Sequence, residues 1–301
     1  MTAITTPPQP SRRRGRLPGK CLRGSLVLLM AATLAPFSTA AGGFASTKPT
    51  PRVEHWQKRQ LAIEQELQDR LRMAATRLVF VGDSITDFWL FDDNPWVSGQ
   101  KYGLQVWNES FAGTAPQNRA LNIGISGDRT EHLLYRITPR SAGGLGHLDA
   151  PGLKPEFLVV MLGINNTWAA ESPVADSVFE GVRAVLGVLH ERQPQARIVL
   201  QGLLPTNDPA KNREVVQVVN RRLQALARSP QWSAFTVWLD LTPGFVDAQG
   251  RQVGALFTDG LHPNQAGYRV WRDRLLPFLA AERLKTAAAE TSRGALSPPG
   301  K

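Results

Sequence analysis

Leu78, Val79, Phe80 and Val81 form an apolar run in which three of the four side chains are β-branched or aromatic. Such a run predicts a strand covered on both faces, as in a parallel sheet. Residues 120–123, 157–162, 197–201 and 235–239 are four more strand candidates. Between them, apolar positions recur at helical spacing over 128–137, 173–191, 212–228 and 264–283. Ahead of the first strand Trp56, Ile63, Leu67 and Leu71 are spaced among charges in the same way, predicting one amphipathic helix within 53–75. Strands alternating with helices imply βαβ units, hence a three-layer α/β sandwich with a five-stranded parallel sheet. Two turn-rich segments, 91–119 and 138–155, interrupt the alternation and read as insertions. Gly143, Gly144 and Gly146 neither follow a strand nor open a helix, so they read as loop rather than a dinucleotide fingerprint. The Ala-, Ser-, Pro- and Gly-bearing end, 286–301, is expected to be a disordered tail.

A chain of 301 residues with 42% hydrophobic content can build one large core. Its net charge of +10 would suit a nucleic-acid partner, but the excess is localised. Arg12, Arg13, Arg14, Arg16, Lys20 and Arg23 stand in a stretch, 1–41, that holds no acid. An apolar run over 25–37 and the small residues around Ser38 and Ala40 follow, which is the order of a secretory signal peptide. The run is short for a membrane span. Cleavage near Ala40 or Ala41 is expected, leaving no stable membrane span and a secreted or periplasmic protein; an uncleaved anchor is the alternative. Residues 42–52 then read as a linker and 53–285 as the folded domain. The single cysteine, Cys21, lies ahead of the apolar run, so the mature chain has no thiol for catalysis, for a disulfide or for a metal.

The strand at 78–81 ends in Gly82, Asp83 and Ser84, at the edge where open parallel sheets bind ligands. Asp and Ser are also ordinary helix caps, so the partners decide. A nucleophilic serine needs a base. His55 and His190 fall in amphipathic helices, His132 inside a helical turn and His147 in a loop with only Asp149 near. His262 differs: "FTDGLHPNQAGY" puts Asp259 three residues before it, between the last strand and the last helix. A carboxylate at that spacing can reach the imidazole Nδ1 and leave Nε2 to accept a proton, although a surface turn with an incidental Asp and His has the same sequence. Donors for an oxyanion are needed as well. Gly127 and Asn165 stand at the ends of the second and third strands; turn formation by Gly127, capping by Asn165 and a capping box from Asp128 to Glu131 are the other readings.

The ordered blocks "GDSIT", "GISGD", "GINN" and "DGLH" resemble those of the SGNH, or GDSL, hydrolases. Within that superfamily "NIGISGDRTEHLLYRI", "LGINN", "ERQPQARIVLQGLLP" and "PGFVDAQG" resemble the catalytic subunits of the intracellular type I platelet-activating factor acetylhydrolase and their bacterial relatives. The resemblance spans roughly 75–283 and implies a flavodoxin-like fold. It implies Ser84 as nucleophile, His262 as base oriented by Asp259, and an oxyanion hole from Ser84, Gly127 and Asn165. It also implies that Ile85, Ile164 and Leu261 wall a small acyl pocket. The longer 91–119 and 138–155 segments and the signal peptide depart from the intracellular enzymes.

The expected function is therefore an exported serine esterase that hydrolyses short-chain, chiefly acetyl, esters of a small molecule or glycan through an acyl-enzyme. No metal or cofactor is expected, since neither "HExxH" nor a carboxylate cluster at ligand spacing occurs. A carbohydrate O-deacetylase, thioesterase or lysophospholipase would use the same triad. An inactive glycan-binding protein on the same fold is the non-enzymatic alternative.

Overall fold

The computed structural model describes residues 43–52, 56–94, 98–169 and 171–295. The signal peptide expected over 1–41 and His55 lie outside the described residues. In chain order the helices are α1 (Gln57–Leu67), α2 (Arg70–Ala75), α3 (Ser84–Asp87), α4 (Leu104–Ser110), α5 (Thr130–Ile137), α6 (Val174–Arg192), α7 (Pro209–Lys211), α8 (Gln217–Arg228), α9 (Pro230–Ser233) and α10 (Gln265–Ala295). The strands are β1 (Leu78–Gly82), β2 (Ala120–Asn122), β3 (Phe157–Met161), β4 (Arg197–Gln201) and β5 (Thr236–Leu239). They pair in parallel in the order β2-β1-β3-β4-β5. All of β1, β2 and β3 is buried, as continuous apolar runs require of strands covered on both faces. Because the strands are parallel, the segments after β1, β2, β3, β4 and β5 all emerge on one rim.

Helices α5, α6 and α8 pack together on one face, and α4 and α10 on the other. On the second face Phe80 lies 5.2 Å from Trp107 and 5.0 Å from Phe111 between ring centroids. Trp89 lies 4.5 Å from Tyr268 and 5.2 Å from Trp271. The rings meet edge-on or tilted, as their quadrupoles favour. This cluster fixes α10, the helix that follows His262, against the segment that follows Ser84.

Several expectations are corrected. The helix expected over 53–75 is two, because Asp69 turns the chain and caps α2 by accepting from the Arg72 N–H. Leu71 consequently points outward and is 86% exposed, while Ile63 and Leu67 are buried. The stretch expected as a linker is part of the domain from residue 44 on: Ser46 is buried and its Oγ donates to the Ser177 carbonyl. Glu171 accepts from the Ala45 and Ser46 N–H groups. The tail expected from 286 is helical to Ala295, a continuation of α10. The 91–119 segment, read as an insertion, also supplies the core, for Tyr102, Val106, Trp107 and Phe111 are buried. No described helix is long and apolar enough to cross a membrane.

Candidate active site

Asp83, not Ser84, caps α3: its Oδ1 accepts from the Ile85 N–H at 3.0 Å. That leaves Ser84 in the first position of the helix with its hydroxyl turned toward the rim. Its Oγ is 2.9 Å from His262 Nε2, and His262 Nδ1 is 2.7 Å from Asp259 Oδ2. The second oxygen of Asp259 accepts from the backbone N–H groups of Leu261, at 3.0 Å, and His262, at 2.8 Å. Gly260 makes this turn possible at φ +77°, where an L side chain would be strained and its Cβ would strike Asn207. Burial pushes the Asp259 carboxyl up, but the bonds from His262 prevail and hold it at about 2, so it is ionised at neutral pH. Ser84, His262 and Asp259, the candidate triad of the sequence, are thus brought together in hydrogen-bonding order.

Two further loops are drawn to α3. Ser126 donates both its N–H, at 3.0 Å, and its hydroxyl, at 2.8 Å, to Asp87 Oδ2, bringing Gly127 beside the helix that starts with Ser84. Gly127 stands at φ +78°, and the Arg52 guanidinium is the nearest group to where its Cβ would lie. Asn165 Nδ2 donates to the Asp128 carbonyl at 2.9 Å, which ties the β3 loop to the residue after Gly127. One amide proton of Asn165 and the N–H groups of Ser84 and Gly127 have no acceptor among the described residues. They are the donors an oxyanion would need.

The capping box expected from Asp128 to Glu131 is absent. Arg129 is the N-cap of α5, and its N–H donates to His132 Nδ1 at 3.0 Å. Burial, followed by the charges of Arg52, Arg129 and Arg136, lowers His132 to about 3, so it remains a neutral acceptor. Asp128 is instead fully buried, accepting from Arg136 Nε at 2.8 Å and Arg52 Nη1 at 3.0 Å. Losing one member of such a buried pair costs about 3–5 kcal/mol, because the other charge is left without its partner. Sequence reasoning missed this support for the Gly127 loop; an arginine among the apolar positions of α5 was the available signal. His147 is buried against Arg136, its Nδ1 3.3 Å from Nη1, and is pushed well below the ordinary histidine range, first by burial. His190 stacks on Phe235 at 3.6 Å, away from the triad.

Of the three residues expected to wall the acyl pocket, Ile85 and Ile164 are 2% and 1% exposed and belong to the core, while Leu261 is half-buried at the rim. Phe88 also borders the site, its ring 4.9 Å from the His262 imidazole. Tyr268 donates its hydroxyl to the Ile85 carbonyl at 2.8 Å, pinning α3 from α10.

Burial raises the Asp83 carboxyl to about 7 against the opposing Ile85 N–H and the nearby His262. Its folded value thus lies above the unfolded one, so the native state holds the extra proton and stability falls as pH rises from about 4 to about 7. Asp83→Asn keeps the acceptor for Ile85 and removes the titration. Thermal melting between pH 5 and 7 should therefore show a smaller loss of Tm for the variant than for the wild type. Equal slopes would mean that Asp83 is ionised throughout.

The profile of the GDSL-like lipase/acylhydrolase family matches residues 80–270. The chain is 33% identical over 215 residues to the human platelet-activating factor acetylhydrolase IB subunit alpha1, covering 68% of this chain and 78% of that one. It is 32% identical over 196 residues to the rat alpha2 subunit, covering 64% and 70%. Among solved structures, a GDSL-like lipase from Bacteroides thetaiotaomicron superposes with a TM-score of 0.54 at 17% identity, over 76% of this chain and 98% of the other.

Proposed function

From the premise that the chain belongs to the GDSL-like lipase/acylhydrolase family, we propose that it is an exported serine esterase of short-chain, chiefly acetyl, esters. The observation that carries the chemistry is the unbroken relay from Ser84 Oγ to His262 Nε2 and from His262 Nδ1 to Asp259. Ser84 attacks the ester carbonyl while His262 takes its proton, and the Ser84–carbonyl bond forms as the carbonyl oxygen becomes an oxyanion. The N–H groups of Ser84 and Gly127 and the free amide proton of Asn165 receive that charge. His262 returns the proton to the departing alcohol as the ester bond breaks. Water, deprotonated by the same imidazole, then releases the acid from Ser84. Export rests on the basic, apolar and small-residue order of 1–41, and is tested by locating the protein after expression with and without that segment.

A short acyl group is favoured by the acetylhydrolase activity named for the relatives and by the bulky Phe88 and Leu261 beside His262; Ile85 and Ile164, packed into the core, do not line the site. Each methylene added to the acyl chain that stays in water forgoes about 0.8 kcal/mol of burial, and forcing it inward costs more by overlap. Across p-nitrophenyl esters of two to eight carbons, kcat/KM is expected to be highest for acetate and to fall more than about tenfold by hexanoate. An optimum at six carbons or beyond would overturn the small-pocket reading and leave the esterase chemistry standing.

A further inference from the structure

Among the described residues Trp168 is the large apolar side chain left exposed at the rim: 53% of it is open to solvent. It ends the 3-10 turn Ile164–Trp168 that opens directly from β3. In such a turn side chains three apart eclipse one another, so Trp168 stands on the side that carries Asn165, about 6 Å further along. The turn is held firmly. Thr167 Oγ1 donates to the Ile164 carbonyl, and Asn166 bonds the Thr130 N–H and Glu131 from the neighbouring loop. An indole held out beside a candidate oxyanion donor is a prepared surface.

From α7, in the segment that follows β4, Lys211 reaches across to it. Its Nζ lies 3.8 Å from the centroid of the Trp168 ring. Asp208 fixes the base of this arm by accepting from the Ala210 and Lys211 N–H groups at 2.9 and 3.0 Å. Among the described residues the Lys211 ammonium has no carboxylate partner. Its cation–π contact satisfies the charge in part but gives its N–H donors no acceptor. The ammonium is held over one face of an indole that is still 53% exposed, by a contact an incoming ligand can replace.

Resting on the esterase reading above, we propose that Trp168 and Lys211 form the subsite for the alcohol part of the ester, and that they select an acetylated sugar bearing a carboxylate. The flexible Lys211 arm yields the ring face to the C–H-rich face of a pyranose, and its ammonium, moved to the edge of the indole, donates to the carboxylate. A cationic alcohol is repelled by the same ammonium.

The test compares three acetates on the full-length protein: ethyl acetate, a mono-acetylated methyl glucoside and the matching methyl glucuronoside. The wild type should favour the glucuronoside over the glucoside by about tenfold or more in kcat/KM, the scale of one charge-assisted hydrogen bond. Lys211→Gln should bring that ratio to near one and Lys211→Arg should restore it. Trp168→Ala should lower the ratio of either sugar ester to ethyl acetate about tenfold, mainly through KM. Equal turnover of the two sugar esters by the wild type, or a preference that survives Lys211→Gln and Trp168→Ala, overturns the subsite while ethyl acetate hydrolysis upholds the esterase. Failure on all three acetates overturns both.

Discussion

Ser84→Ala is expected to lower kcat on a small aryl acetate by roughly four to six orders of magnitude, the range seen when a triad nucleophile is lost. Without Oγ no acyl-enzyme can form, and His262 is left with water as its only proton source. What survives is the part that donors at the oxyanion position supply by themselves, on the order of 10³ over the uncatalysed reaction. The fold should be indifferent to the change. Ser84 is buried at 5% exposure, but Asp83 makes the cap of α3 and Tyr268 pins the helix from outside, and both remain. Steady-state kinetics with circular dichroism checks this, and a fluorophosphonate should label the wild type alone. A folded variant within a hundredfold of wild-type kcat would remove Ser84 from the mechanism.

Asp259→Asn should cost about 10⁴ in kcat, for a different reason. Its Oδ1 can still accept from the Leu261 and His262 N–H groups, so the turn keeps its shape. The amide then offers an N–H to His262 Nδ1 where the carboxylate had accepted one. That favours the tautomer with the proton on Nε2, facing Ser84 with a donor instead of an acceptor. The wild-type carboxyl is held at about 2, below its ordinary value, so the stability it contributes is present above about pH 4 and lost only as pH falls toward 2. The tautomer argument therefore applies across the neutral range. A loss of less than tenfold at pH 7.5, in a protein with unchanged melting behaviour, would make Asp259 a turn residue and no more.

The sheet and the meeting of Ser84, His262 and Asp259 were legible for local reasons. An apolar run such as Leu78–Val81 asks for cover on both faces, and five strand candidates at βαβ spacing ask for a parallel sheet. The pairing of Asp259 with His262 needs only a three-residue turn, which Gly260 announces. The Gly127 and Asn165 blocks were visible because strand ends in this topology share a rim. What stayed hidden depends on who meets whom across long stretches of chain. Asp128 looks like a cap in sequence and is a buried ion, because its partners Arg136 and Arg52 arrive from α5 and from a segment that reads as linker. Leu71 fits the helical spacing and points to water, because Asp69 restarts the helix out of phase. Ile85 and Ile164 adjoin Ser84 and Asn165 in sequence, yet packing takes them into the core. Trp168 and Lys211 carry no motif at all. Local propensity and turn chemistry act within a few residues and survive in the sequence, whereas desolvation, ion pairing and the meeting of two loops are set by the packed chain as a whole.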